Sequence, residues 1–195
     1  MSEAFMSEPL TTKPIADASP RFKARIAGAL YLLSVVTAAC AELFLHGRWN
    51  VAGGLIANAG MAAVALILYV IFKPVNSSLS MLAALFSLVG LTFEAVRWNP
   101  RGVDVAIVFA GFYCLLIGYL IFKSTFLPRI LGGLMVLGGL GWLTYLSNPL
   151  VAYLSPYNLA CALVAEASVF LWFLAMGLNA PKWQEKATTW RMSRA

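Results

Sequence analysis

Six runs of roughly 20 apolar residues, almost free of charge, constrain this chain more than anything else in it. In hydrocarbon every backbone N–H and C=O must be satisfied inside the protein, and a single segment can do that only as a helix. The runs lie at Ile26–Leu45, Val51–Phe72, Leu79–Trp98, Val103–Phe122, Pro128–Leu146 and Pro156–Leu178. At about 1.5 Å per residue each reaches across a core of roughly 30 Å. The expected fold is all-α, an integral membrane bundle of six transmembrane helices spanning residues 25–179. A polar, proline-broken amino tail (1–24) is expected to be disordered. A basic, tryptophan-containing carboxyl tail (180–195) is expected to lie on the inner membrane surface.

Composition agrees: 61% of residues are hydrophobic and 11% charged, against about 25% charged in soluble domains. The net charge of +6 does not point to nucleic acid, because the basic residues stand singly beside apolar runs and form no patch with stacking aromatics. They act instead as topology signals. Of the 14 Lys and Arg residues, 11 fall on the side of the two tails, Lys73, Lys123 and Arg129, leaving Arg48, Arg97 and Arg101 opposite. The positive-inside rule then places both termini in the cytoplasm. Trp49, Trp98, Trp142, Tyr145, Tyr153 and Tyr157 are expected at the outer interface, and Tyr31, Tyr69 and Tyr119 at the inner one. Cys40, Cys114 and Cys161 all fall within apolar runs and read as small buried residues.

The hairpin Asp104–Trp142 is the clearest unit: two spans, a short basic turn, a carboxylate at the start and glycines along the second span. It has a faint echo. LILYVIFK (Leu66–Lys73) matches LIGYLIFK (Leu116–Lys123), and LAALFSLVGL (Leu82–Leu91) matches LGGLMVLGGL (Leu131–Leu140), so parallel two-helix repeats are an expectation. Gly111 and Gly118 on the fourth span, Gly53 and Ala57 on the second, and Gly132, Gly138, Gly139 and Gly141 on the fifth suit close helix packing.

Ionisable groups within lipid are costly and mark either a site or a buried pair. Glu42, Glu94, Asp104 and Glu166 all fall at or above the midplane, and no acidic residue lies in the inner half of any span. Asn58, His46, Arg97 and Arg101 belong to the same outer layer. Glu94 with Arg97, and Arg101 with Asp104, are three apart on helical ground and are expected to neutralise each other. Glu42 and Glu166 lack a nearby basic partner apart from His46. The layer reads as the lining of an outward-open polar cavity with Glu166 at its floor and Asn58 as a hydrogen-bonding wall.

Two stretches resemble a known family. RIAGALYLL (Arg25–Leu33) followed by Glu42, and LLIGYLIFKSTFLPRILGGL (Leu115–Leu134), are similar to segments of the bacterial membrane family DUF4386, and Glu166 fits the Glu of that family's last helix. The resemblance spans Arg25–Asn179, with Tyr113 where relatives often carry His and a short connection between spans three and four. It implies a polytopic protein of the bacterial plasma membrane and attaches no activity.

Motifs for hydrolases, zinc proteases, dinucleotides and P-loops are missing, and the single His excludes a two-His haem. No cofactor and no metal site are expected. The leading expectation is binding or transport of a small ligand, cation or proton at Glu166, Glu42, Asn58, Glu94 and Asp104, in a protein whose one certain partner is the lipid bilayer. Carboxylates converging beside a lipid-accessible slot would favour a membrane-embedded, carboxylate-based hydrolase instead. Complete pairing of the acidic groups with no cavity above about 300 Å³ would favour a structural or assembly subunit. Oligomeric state is left open.

Overall fold

The computed structural model describes residues 19–193, apart from the Arg101 side chain. Among the described residues eight α-helices follow one another: α1 (Pro20–Phe44), α2 (Arg48–Phe72), α3 (Ser77–Ala95), α4 (Val105–Lys123), α5 (Arg129–Leu143), α6 (Asn148–Leu154), α7 (Tyr157–Ala175) and α8 (Ala180–Met192). Short 3-10 turns occupy Pro100–Gly102 and Thr144–Leu146, and the described residues contain no strand. Six helices are long and apolar enough to cross a membrane: α1, α2, α3, α4, α5 with its continuation to Leu146, and α7. The expected all-α six-helix architecture is therefore the observed one. Leu33, Val36, Ile56, Leu66, Ile130 and Val164 are exposed on its outer surface, as lipid-facing positions should be.

The spanning helices alternate in direction. Ser19, the α2–α3 and α4–α5 turns and α8 therefore share one face, called here the terminal face, and the connections after α1, α3 and α5 share the loop face. Each spanning helix packs on its neighbour in sequence, and α7 returns to α1 to close the ring. The core between them is filled by Val64, Leu68, Phe72, Ile117, Ile121 and Phe173.

Local chemistry sets the helix ends. The Ser19 side chain accepts from the Phe22 N–H with Pro20 at the first turn, so α1 begins inside the stretch expected to be a disordered tail. The rest of that expectation, residues 1–18, lies outside the described residues. Asn76 caps α3, Asp104 caps α4 and Asn179 caps α8, each accepting from an N–H three residues on. Asn99–Pro100 opens a 3-10 turn, and the Asp104 carboxylate caps the start of α4 at Val105. At Ser155–Pro156 no side-chain cap bond forms, and α7 starts at Tyr157. The carboxyl tail is helical, and its Trp183 indole donates to the Ile71 carbonyl at 2.8 Å, satisfying an end-group of α2. On the same face Arg21 and Arg25 donate to the carbonyls of Leu178 and Ala175. Cations there complement the carboxyl end of α7.

Glycine decides how closely α5 is held. A Cβ on Gly132 would lie 2.8 Å from the Gly118 carbonyl oxygen, and one on Gly139 would lie 2.9 Å from the Gly111 oxygen. These contacts press α5 against α4. On its other side, a Cβ on Gly138 would meet Ala165 at 2.6 Å, and one on Gly141 would meet the Asn158 oxygen at 2.7 Å. That side abuts α7. Helix association in lipid depends on such contact, since burial from water supplies no drive between helices there.

Gly132→Ala should accordingly destabilise the bundle by roughly 1–3 kcal/mol, because backbone must move to admit the methyl group. Gly133→Ala, where the nearest atom to an added Cβ is Phe122 Cζ at 3.7 Å, should leave stability unchanged or slightly raised. Thermal unfolding of both variants in one detergent checks this.

Candidate functional site

Glu166 lies nine residues into α7, about 14 Å below the loop face. Three side chains from three other helices converge on it. The Trp142 indole N–H of α5 donates to Oε1 at 2.6 Å, the Cys114 thiol of α4 to the same oxygen at 3.4 Å, and the Tyr31 hydroxyl of α1 to Oε2 at 2.7 Å. Helical side chains lean toward their own amino terminus. Trp142, near the end of α5, therefore leans down into the bundle while Glu166 leans up to meet it. Tyr31 is fixed from beneath, its ring stacked on Phe170 at 3.8 Å and 8°. Phe170 lies one turn beyond Glu166. Gly28 makes this approach feasible, since a Cβ there would stand 2.7 Å from the Phe170 oxygen.

The two carboxyl oxygens are held differently. An indole nitrogen can only donate, so Oε1 must act as an acceptor. A phenol both donates and accepts, so Oε2 can accept from Tyr31 when ionised and donate to it when protonated. One oxygen is thus an anchor and the other a place where a proton can come and go.

One cavity reaches this group, and a second shares lining residues with the first. The first, of about 340 Å³, is lined by Glu166, Tyr31, Tyr113, Trp142, Phe170, Glu94 and Asp104, with apolar wall from Met61, Val64, Leu91, Ile107 and Ala110. The other, of about 200 Å³ nearer the loop face, is lined by Glu42, Asn50, Asn58, Glu94, Arg97, Asn99 and Asp104. Glu94 and Asp104 border both, so they stand where an outer vestibule and an inner chamber adjoin. All five candidate residues fall on this pair of cavities: Glu42 and Asn58 in the vestibule, Glu94 and Asp104 at the junction, Glu166 within. His46 is exposed on the α1–α2 turn and borders neither.

The expected pairings change. Arg97 bonds Glu42 at 3.3 Å and the Asn50 amide oxygen at 2.7 Å, and does not bond Glu94. The reason is backbone geometry: α3 stops at Ala95, so Glu94 and Arg97 are not three apart on a helix, and Arg97 turns with φ of 50°. Glu42, expected to lack a basic partner beyond His46, therefore has one from a distant segment. Both side chains remain about two-thirds exposed, at 69% and 65%. Glu94 has no basic side chain within ion-pair range among the described residues. The Arg101–Asp104 pairing rests on a side chain outside the described residues, while the Asp104 carboxylate caps α4 through the Ile107 N–H at 3.2 Å.

Sequence reasoning placed several of the partners elsewhere. Trp142 and Tyr31 were expected at the outer and inner interfaces, yet both turn inward to Glu166. Cys114 is buried as expected, but as a hydrogen-bond donor, whereas Cys40 and Cys161 are exposed. Asn158 was not singled out. It is 6% exposed, donates to the Thr144 hydroxyl at 2.9 Å, and leaves its side-chain oxygen without a partner among the described residues. The spacing Glu166–Phe170 on α7 and Gly28–Tyr31 on α1 was the signal available. No group of three or more His, Cys, Asp or Glu among the described residues is arranged to hold a metal ion.

The segment from the end of α3 through α7 carries Cys114, Trp142 and Glu166, and it is here that the chain meets known sequences. Residues 91–177 match DUF4386. That family is described as a domain of unknown function. The expected DUF4386 likeness thus holds over these residues, which exclude α1 and its Tyr31. The chain is also 30% identical over 98 residues to an uncharacterised protein of Archaeoglobus fulgidus, covering 46% of this chain and 59% of that protein. The chain thus spans less than two-thirds of that relative. No solved structure matches it.

Tyr31→Phe removes one donor to Glu166 and should cost about 1.5–3 kcal/mol if the carboxylate is ionised. Arg97→Ala should cost no more than about 1 kcal/mol, because its ion pair is exposed. Thermal unfolding checks the contrast, and a Tyr31→Phe/Glu166→Gln cycle should show coupling of about 0.5–3 kcal/mol.

Proposed function

We propose that this multi-helix membrane protein binds a small cation in an acidic cavity open to the loop face and exchanges it there with a proton on Glu166, as a binding or transport protein. The observation that carries the reading is the inner cavity itself, where Glu166, Glu94 and Asp104 face one space and no basic side chain lines it among the described residues. In a low-dielectric setting such a concentration of acidic groups attracts positive charge. Glu42 and Asn58 form the vestibule wall, and the Glu166–Tyr31 pair is where the proton is held. The cavity exceeds the roughly 300 Å³ threshold and Glu94 lacks a basic partner among the described residues, which favours this reading over a purely structural subunit.

The distribution of basic residues supports both termini being cytoplasmic, in the plasma membrane of a bacterium that the family resemblance implies, which makes the loop face external. A green fluorescent protein fused after Ala195 should then fluoresce, and a periplasmic phosphatase fused there should be inactive. The opposite pair of results would reverse the orientation.

Competition between proton and cation gives a sign. Stabilisation by ammonium or sodium ions should grow as pH rises through the titration of the cavity acids, because protons leave the groups the cation needs. The titratable groups facing Glu166 are Tyr31 from α1, Cys114 and Tyr113 from α4, Glu94 from α3 and Asp104 at the α4 cap. Glu166→Gln should reduce that pH dependence, leaving the part due to Glu94 and Asp104, while the variant still unfolds cooperatively. An unchanged pH dependence in Glu166→Gln would overturn the assignment.

A further inference from the structure

The wall of the inner cavity narrows the kind of cation. Tyr31, Tyr113, Trp142 and Phe170 contribute aromatic surface, and most of the remaining lining is aliphatic. An inorganic ion gains nothing from such a wall. Calcium wants six to eight oxygens and magnesium keeps its water, whereas the carboxyl groups here are spread from the mouth to the floor of the chamber, and one oxygen of Glu166 is already occupied by Trp142 and Cys114. An alkylammonium behaves oppositely. It is weakly hydrated, its charge is attracted by aromatic faces as well as by carboxylates, and the combination of aromatic walls with an acidic group is how quaternary ammonium groups are recognised. A neutral apolar molecule would fill the wall but would leave the Glu94 carboxyl facing it without compensation. At about 340 Å³ the chamber lies at the small end of ligand sites.

We infer that the inner cavity is a receptor site for a small organic cation, an amine or quaternary ammonium bearing a short apolar or aryl group, with its charge toward Glu94 and Glu166 and its apolar part against Trp142, Tyr113 and Phe170. The inference rests on the cation-binding reading above and specifies its ligand class. Glu94 and Asp104, which line both cavities, draw the charged end inward, whereas Glu42 in the vestibule is offset by Arg97.

The test uses the full chain in detergent or nanodiscs and benzyltrimethylammonium, a permanent cation whose own charge does not vary with pH. Its binding is followed by tryptophan fluorescence and by thermal shift, with benzyl alcohol as the neutral counterpart and sodium as the inorganic one. Saturable binding of benzyltrimethylammonium, at least tenfold tighter than that of benzyl alcohol, supports the inference. So does a loss of tenfold or more in affinity with Glu94→Gln, whose side chain makes no hydrogen bond or ion pair among the described residues, and with Tyr113→Leu. Glu166→Gln should weaken binding similarly. Benzyl alcohol binding as tightly as the cation, or affinity indifferent to Glu94→Gln and Tyr113→Leu, overturns it. Stabilisation by sodium that depends on Glu166, without saturable benzyltrimethylammonium binding, overturns the organic-cation class and leaves the cation site standing. Failure of every cation to bind brings down both.

Discussion

A carboxyl group set near the middle of a membrane bundle is the constraint from which the rest of this structure follows. Lipid supplies neither water nor counter-charge, so a glutamate there must be satisfied by protein or kept neutral. Glu166 is satisfied by three donors, and they come from α1, α4 and α5 while the glutamate stands on α7. Four helices must therefore arrive at one point. Because the interior is a low-dielectric medium, each bond counts for more than it would in water, and each missing one would cost more.

Close approach of the backbones makes that convergence feasible. Glycines on both sides of α5 bring α4 and α7 within reach of each other, and Gly28 lets α1 settle against Phe170 and Leu174. Packing on these four helices and chemistry at the glutamate are consequently one problem. The α2 and α3 helices contribute differently: they close the ring and supply Met61, Val64, Leu91 and Glu94 to the cavity wall. The chamber is left open where no side chain large enough to fill it is presented, and its own lining carries acids and no basic side chain among the described residues.

The spans, their order and the candidate acids were legible because the signals are local. Length and hydropathy mark a membrane helix without reference to any other, and Glu166 stands out as a charge within an apolar run. Partner identities were not legible. Arg97 lies 55 residues from Glu42 in the chain, and Tyr31 lies 135 residues from Glu166; no spacing rule connects them. Trp142 was misplaced for a related reason. A tryptophan near a helix end resembles an interfacial anchor, and only its neighbours decide whether it turns out to the headgroups or in to a carboxylate. The Glu94–Arg97 expectation failed at a helix boundary, where one early stop changed which side chains share a face.

By itself the sequence determined that this chain is a bundle of six membrane-crossing helices, which faces carry glycine, and which carboxyl groups stand in apolar surroundings. Those properties follow from backbone hydrogen bonding in lipid and from side-chain periodicity along a single helix. The tertiary structure decided that Glu166 is held by a tyrosine, a tryptophan and a cysteine, that Glu42 is tied to Arg97, and that Glu94 and Asp104 line both of two neighbouring cavities. Those depend on the order in which six helices close into a ring and on how nearly their backbones approach, and both are settled by packing between segments far apart in the chain.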